Sequence, residues 1–266
     1  MSISVEFLEK AVMVSKKGRE KAEALNNLGV ALSRWAELIE GKEPEEARKK
    51  YEWAIECYDR ALEINPNYAK AWNNKGIALS KLRRYEEAIE YYDNALEINP
   101  NFAEAWNNKG NVLDELGKYE EAIECYDEAL KINPNYAEAW YDKGNVLGKL
   151  KRYKEAVESK GKAAFLFYLE GRTDIAFKIF KEVYDKRLNI PICYECGVAL
   201  ASLLYLRNEE YDEIVADCNR NKDKICSSAK IVLKYLIDGE IEGEIEVRDE
   251  KDAVFKDLLG KLTEME

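Results

Sequence analysis

The sequence contains no histidine, which removes the commonest general base and the commonest metal ligand of proteins. Proline and glycine are scarce, at 5 and 14 of 266 residues, so few positions interrupt helices. No apolar run is long enough to span a bilayer, and the first residues lack the pattern of a signal peptide. We therefore expect a helix-rich cytoplasmic protein without a cofactor or metal and without catalytic activity.

The charge balance is acidic. The 52 Asp and Glu residues outnumber the 41 Lys and Arg residues, for a formal net charge of −11. Because neutralising phosphate groups requires clustered cations, this balance disfavours binding to nucleic acid or to a membrane surface. It favours a protein or peptide partner with a neutral or basic segment. The six scattered cysteines indicate reduced thiols and not a disulfide framework.

A 34-residue repeat dominates residues 69–163. The hexapeptide AWNNKG or a close relative stands at 24–29, 71–76, 105–110 and 139–144. The motif INPN ends at Asn67, Asn101 and Asn135. Such a fixed period indicates one supersecondary unit that is stacked several times.

Each unit is predicted to be a pair of helices. Proline cannot sit inside a helix, so every INPN separates one pair from the next. The Asn after each proline is expected to cap the following helix, with Glu104 and Glu138 completing a capping box. In the unit that begins at Ala69, the first helix is expected to run to about Leu82 and the second to begin near Tyr85.

Small residues predict a close contact between the two helices of a pair. Gly76 and Ala88 leave room for the approach, while Trp72 and Tyr92 fill the space around it. A pair this short cannot bury its own apolar stripe, so we expect neighbouring pairs to bury it for each other.

The pattern W-x2-K-G-x2-L, then Y-E-E-A-I-x2-Y-x2-A-L, then N-P resembles the tetratricopeptide repeat family. The resemblance implies an all-α fold, a right-handed superhelical array of antiparallel helix pairs. The leucine usual before the glycine in the family is replaced here by Lys75, Lys109 and Lys143. That position lies at the edge of the core stripe, where a lysine stem can snorkel.

The first copy carries 13 extra residues within 33–50. Gly41 and Pro44 predict a turn there between two helices of about 20 residues each. A further helix near residues 4–16 is expected to cover the open end of the stack.

The predicted repeat units are 22–67 with the insertion at 33–50, 69–101, 103–135 and 137–163. The period breaks after Ala163, where a helix over 153–170, or two repeats that have lost a turn, would follow. Further helices are predicted near 173–187, 191–207, 210–220, 226–238 and 249–264, with an acidic loop before the last. We thus divide the chain into a repeat array at 1–163 and degenerate helical repeats at 164–266, continuous with it.

The asparagines beside the tryptophans are the candidate binding residues. The resemblance implies that first helices line a concave groove, and it carries onto that groove Asn26, Asn27, Asn73, Asn74, Asn107, Asn108, Asn111, Tyr141, Asp142 and Asn145. Charged residues at Lys70, Glu104 and Glu138 would add selectivity. Because an amide both donates and accepts hydrogen bonds, such a row could bind the backbone of an extended peptide.

The alternative is that these amides bond to the neighbouring repeat. Asparagine costs about 0.5–0.7 kcal/mol against alanine inside a helix, so its repetition indicates a role without saying which. Some members of the family bind chaperone tails with a clamp of lysine and arginine on successive first helices. Neither register of this sequence supplies those cations, which argues against that activity.

Other chemistry is less well supported. Cys193 and Cys196, with Cys218 and Cys226, could hold zinc or act in redox chemistry in 190–226, but packing as free thiols fits their apolar surroundings better. The aromatic residues recur at core positions, which argues against their stacking on the bases of a nucleic acid.

The function predicted is a non-catalytic scaffold that binds an extended partner segment. The alternative is a self-associating protein, a homo-oligomer that uses the 33–50 hairpin or the C-terminal helices.

Overall fold

The computed structural model describes residues 6, 9–10, 12–13, 18–186, 188–207, 209–238, 241 and 243–264, and within them all regular structure is helical. The helices are α1 (Arg19–Ile39), α2 (Pro44–Ile64), α3 (Ala69–Lys81), α4 (Tyr85–Ile98), α5 (Ala103–Glu115), α6 (Tyr119–Ile132), α7 (Ala137–Lys149), α8 (Tyr153–Leu169), α9 (Thr173–Asp185), α10 (Pro191–Leu206), α11 (Asp212–Arg220), α12 (Ser227–Asp238) and α13 (Glu250–Thr263), with a short 3-10 turn at Lys222–Lys224. This confirms the all-α class and the predicted helix pairs.

The chain forms two compact units, at Met1–Asn133 and Pro134–Glu266. Ala163, where the sequence period ends, lies inside the continuous helix α8, and the proposed division at that residue stays a prediction. Residues 6, 9–10 and 12–13 are helical, whereas the other residues of the helix predicted over 4–16 lie outside the described residues.

The stretched first copy is a long hairpin in the first unit. Helices α1 and α2 each have 21 residues, and Pro44 opens α2 at a position where its missing N–H costs nothing. Between the helices, Lys50 Nζ lies 4.5 Å from the ring centroid of Trp35 and 5.7 Å from that of Trp53. The insertion therefore lengthens both helices of one pair, as the sequence predicted.

The expected asparagine caps are wrong. Helices α3 and α5 have Tyr68 and Phe102 at the N-cap position, without a side-chain cap hydrogen bond. The backbone N–H of Tyr68 donates to the Asn65 carbonyl at 3.2 Å, so the residues from Asn65 to Tyr68 form a tight turn. Asn67 is used inside this turn and lies one residue too early to cap α3.

The tryptophans hold the same turn from the helix side. The indole N–H of Trp72 donates to the Pro66 carbonyl at 2.7 Å, and that of Trp106 donates to the Pro100 carbonyl at 3.0 Å. Each tryptophan thus joins the start of a first helix to the turn that precedes it, and its indole nitrogen finds the partner that a half-buried N–H requires.

Glycine and tyrosine meet where the helices of a pair cross. A Cβ atom added to Gly76 would lie 2.6 Å from Cε1 of Tyr92, and one added to Gly110 would lie 2.7 Å from Cε1 of Tyr126. Both tyrosines are 1% exposed. This confirms the close approach predicted from the small residues and identifies the ring that requires it.

The second unit departs from the regular pattern. Its helices α8 and α10 are buried on most sides, and α13 packs against α8, α10 and α12. The ring of Phe165 lies 5.0 Å from that of Phe180 and 5.6 Å from that of Phe255, measured between centroids. The C-terminal helix thus contributes to the core of this unit.

A buried carboxylate also fixes α13. Glu195 is 2% exposed, and its Oε2 accepts a hydrogen bond from Lys251 Nζ at 3.0 Å. Its Oε1 accepts from the backbone N–H of Cys226 at 3.2 Å. Because both carboxylate oxygens are bonded, this charge can remain inside the unit.

We expect Gly110→Ala to lower the free energy of unfolding by about 1–3 kcal/mol, because the new methyl group would overlap the immobile ring of Tyr126. The matched control is Gly148→Ala in α7, where an added Cβ would meet no atom within 4 Å. Its stability should be unchanged or rise by up to about 1 kcal/mol through helix propensity. Urea denaturation of the unaltered protein and the two variants measures both changes. Equal losses of unfolding free energy in the two variants would contradict the packing argument.

Candidate functional site

The first asparagine of each AWNNKG hexapeptide is buried. Asn26, Asn73 and Asn107 are 5%, 1% and 3% exposed, respectively. The first helices of successive pairs, α1 with α3 and α3 with α5, contact each other. Asn26 and Asn73 lie at these two contacts between neighbouring pairs, which we call the seams.

The second asparagine bonds across that seam. Asn74 Nδ2 donates to Asn26 Oδ1 at 2.9 Å, and Asn108 Nδ2 donates to Asn73 Oδ1 at 3.0 Å. The partners are 48 and 35 residues apart, and the difference equals the insertion in the first copy. The two bonds are thus the same bond in successive pairs, and for these four residues the structure shows inter-repeat contact.

Several predicted residues of the first unit keep surface towards solvent. Asn27, Lys70 and Glu104 are exposed, whereas Asn74 and Asn108 are half-buried. Asn111 is also half-buried, and its Oδ1 accepts a hydrogen bond from the Tyr126 hydroxyl at 2.8 Å. These residues keep exposed surface, whereas Asn26, Asn73 and Asn107 are buried.

The predicted residues of the second unit have different surroundings. Glu138 forms an ion pair with Arg172 at the start of α9. Tyr141 packs edge-on against Phe167, with ring centroids 6.4 Å apart. Asp142 and Asn145 are half-buried.

A second periodic contact was missed by the sequence reasoning. Lys75 is 7% exposed, and its ammonium group bonds to Asp59 and, at 2.7 Å, to the Tyr91 hydroxyl. Lys109 Nζ bonds to Asp93 Oδ1 at 2.6 Å in the same way. Each lysine therefore joins its first helix to the preceding second helix, and Lys75 is buried there whereas Lys109 is half-buried. The signal was present, because the two aspartates are also 34 residues apart.

The cysteines are free thiols. Burial raises the pKa of Cys57, Cys125, Cys193 and Cys226 to about 11, and that of the wholly buried Cys196 well above its usual value. Among the residues that the structure describes, no group of three His, Cys, Asp or Glu side chains is arranged to hold a metal ion. A thiol that stays protonated is a poor nucleophile and a poor metal ligand.

Family models confirm the repeats. Models described as tetratricopeptide repeat match residues 69–102, 103–136 and 125–158, and one described as TPR repeat matches residues 47–82. Over residues 47–158, the chain belongs to the tetratricopeptide repeat (TPR) family. No curated protein sequence shows a significant match to it.

Solved structures that resemble this chain include two TPR domains. The MamA RS-1 ArsTM double mutant is 22% identical over 64% of this chain and 86% of its own, with a TM-score of 0.50, a likeness that concerns the fold alone. The first TPR of Spaghetti (RPAP3), bound to the HSP90 peptide SRMEEVD, is 22% identical over 47% of this chain and 95% of its own, with a TM-score of 0.39. The Arabidopsis OM64 TPR domain is 24% identical over 44% of this chain and 95% of its own, with a TM-score of 0.40.

None of the helices described in this TPR protein combines the length and the apolar character that crossing a bilayer requires.

Removing one amide of the seam should destabilise the array. We expect Asn73→Ala to lower the free energy of unfolding by about 1–3 kcal/mol, because it leaves the Asn108 amide without its acceptor. A double-mutant cycle with Asn108→Ala should give a coupling energy of about 0.5–1.5 kcal/mol. The exposed Asn27→Ala is the control and should be neutral or slightly stabilising. Additive effects at Asn73 and Asn108 would show that the bond contributes nothing.

The thiols should be unreactive in the native protein. At pH 8 a thiol of pKa about 11 is roughly 0.1% thiolate, against about a quarter for an exposed thiol of pKa 8.5. We expect a water-soluble disulfide reagent to modify the native chain at least about 100-fold more slowly than the urea-unfolded chain. The native rate should rise with pH as the thiols ionise. Rapid modification of any native cysteine at pH 8 would contradict the burial of that residue.

Proposed function

We propose that this TPR protein is a non-catalytic scaffold for protein–protein interaction, which binds an extended partner segment along the first helices of its first unit. The supporting observation is the arrangement of amides at the seams between these helices. Asn74 and Asn108 each use one N–H for the neighbouring pair and keep part of their surface towards solvent.

The rest of each half-buried amide remains open. Within the described residues, the carboxamide oxygens of Asn74 and Asn108 accept no hydrogen bond from the protein. An extended peptide backbone presents both N–H and C=O groups along its edge, so each amide could accept from it and donate to it. The bond to the neighbouring pair fixes the side chain beforehand, which lowers the entropy cost of binding.

The charged residues beside the seams would select the partner. Lys70 and Glu104 occupy equivalent, exposed positions of α3 and α5, and Asn27 is exposed on α1. Together with the net charge of −11, these mixed charges favour a neutral or basic segment. The equivalent residues of the second unit stay predictions.

Self-association is a second candidate. Leu38, near the end of α1 within the extended 33–50 hairpin, is 63% exposed, and Trp35 and Trp53 nearby are half-buried. An exposed leucine beside aromatic residues is a feature of protein contact surfaces, although single exposed apolar residues are common. In this case the amides at the seams would join neighbouring helix pairs and would bind no partner.

We expect full-length protein panned against a library of twelve-residue peptides to select extended, neutral or basic sequences. The triple variant Asn27→Ala/Lys70→Ala/Glu104→Ala should bind the selected peptides at least about tenfold more weakly, which corresponds to about 1.4 kcal/mol of binding free energy. Fluorescence anisotropy with labelled peptides measures the affinity. These three positions are exposed, so the melting temperature should stay unchanged.

The matched control is Arg60→Ala/Glu90→Ala/Asn219→Ala, which removes the same kinds of side chain from exposed positions outside the first helices. It should bind the peptides like the unaltered protein. Equal affinity of both triple variants would overturn the binding surface. If no peptide is selected and sedimentation shows oligomers that grow with concentration, self-association replaces the proposal.

A further inference from the structure

The fourth helix pair differs from the first three where its helices cross. In the first three pairs, a glycine of the first helix faces a tyrosine ring of the second, in the combinations Gly29 with Tyr58, Gly76 with Tyr92 and Gly110 with Tyr126. In the fourth pair, 34 residues further on, Lys160 stands in place of the tyrosine, and its Cγ lies against Gly144. The ring is therefore missing from this pair alone among the four.

The serine that meets the tyrosine hydroxyl in the first pair is missing too. In the first pair, the hydroxyl of Tyr58 lies 3.3 Å from Ser33 Oγ, and this serine stands four residues after Gly29. The equivalent residue of the fourth pair is Gly148, which has no side chain, and an added Cβ would meet nothing within 4 Å. The fourth pair thus lacks the tyrosine ring and the serine that meets it in the first pair, but it keeps Asn145, the equivalent of the Asn111 that accepts from Tyr126 in the third pair.

An open cavity lies at this place. It has a volume of about 210 Å³ and is bounded by Gly144, Gly148 and Lys160, with Ala156 and Val183 among the apolar residues of its wall. An enclosed apolar cavity of about 150 Å³ holds benzene in another protein, so the volume of this open cavity suffices for a six-membered ring.

The rim of the cavity is open to solvent. Tyr153, at the start of α8, lines it and is 55% exposed, whereas the equivalent Tyr51 of the first pair is 2% exposed. An aromatic wall that faces solvent provides a surface on which an entering ring can stack.

One end of the cavity is polar. Lys160 Nζ donates to Glu182 Oε1 at 2.5 Å, and both residues line the cavity. An ammonium group has three N–H donors, and a carboxylate can accept several hydrogen bonds, so the pair retains capacity for a hydroxyl group. An apolar ring space that ends at a donor and an acceptor matches a phenol better than a plain phenyl ring.

We propose that the cavity between α7, α8 and α9 binds a phenolic ring, presented as a tyrosine side chain by a partner segment. The stem of Lys160 occupies the place against Gly144, so the ring lies in the open space beside it, and its hydroxyl bonds to Lys160 or Glu182. That the ring belongs to a partner protein rests on the proposed function, whereas the cavity and its preference for a phenol do not.

The test uses the full chain and two small probes, 4-fluorophenol and 4-fluorotoluene, followed by fluorine NMR relaxation. We expect 4-fluorophenol to bind with a dissociation constant of about 1 mM, a realistic value for a ligand of eight heavy atoms. The toluene, which lacks the hydroxyl, should bind at least about fivefold more weakly. Absence of phenol binding, or equal binding of both probes, would overturn the proposal.

Two variants close the cavity in different ways. Gly148→Ser/Lys160→Tyr restores the pattern of the first pair. Gly148→Leu leaves Lys160 unchanged and adds a bulky side chain to the cavity wall, at a residue where a new Cβ would meet no atom within 4 Å. Each variant should bind 4-fluorophenol at least about tenfold more weakly than the unaltered protein, while its melting temperature stays the same or rises. If one variant fails to fold, the other still decides the matter.

The control is Lys154→Tyr, the same substitution at an exposed position of α8. This control should bind 4-fluorophenol like the unaltered protein. If a folded variant with a closed cavity still binds 4-fluorophenol, the phenol binds elsewhere and the proposal is wrong. Because these probes need no partner protein, a failure here leaves the peptide experiment on the first unit unaffected. Loss of peptide binding to the first unit likewise leaves the cavity intact.

Discussion

The close crossing of two helices at a glycine is the constraint on which the repeat depends. Gly29, Gly76 and Gly110 each face a tyrosine ring at a distance that leaves no room for a methyl group. The ring is buried because the helices approach there, and the helices can approach there because the glycine has no side chain. Every other feature of the array is placed relative to this contact, including the turn held by the tryptophan and the seam between pairs.

Stacking of the pairs uses polar groups as well as apolar ones. The Asn74–Asn26 and Asn108–Asn73 bonds join successive first helices, and the ion pair of Lys109 with Asp93 joins a first helix to the preceding second helix. A buried amide is costly unless it is bonded, so the bonds to the buried Asn26 and Asn73 favour this register between neighbours. The same geometry fixes the half-buried amides that we propose as contacts for a partner.

The second unit departs from the repeat in its packing. In the second unit the helices pack on most sides, and the C-terminal helix is held by the buried Glu195. The fourth pair keeps the glycine but replaces the tyrosine with Lys160, which opens a cavity. The repeated positions thus give the uniform part of the array, and the position where the repeat is broken marks the cavity for which we propose a ligand.

The sequence by itself determined the helix pairs, their approximate ends and the small residues at their crossing, because these follow from local periodicity and from proline and glycine. It could not decide whether an amide such as Asn73 faces a ligand or a neighbour, because both choices have the same helical spacing. It also misplaced the asparagine caps, since the turn from Asn65 to Tyr68 depends on backbone geometry that composition does not fix. Only the tertiary structure brought residues 35 and 48 positions apart within hydrogen-bonding distance, and that packing decided which side chains are covered and which remain open.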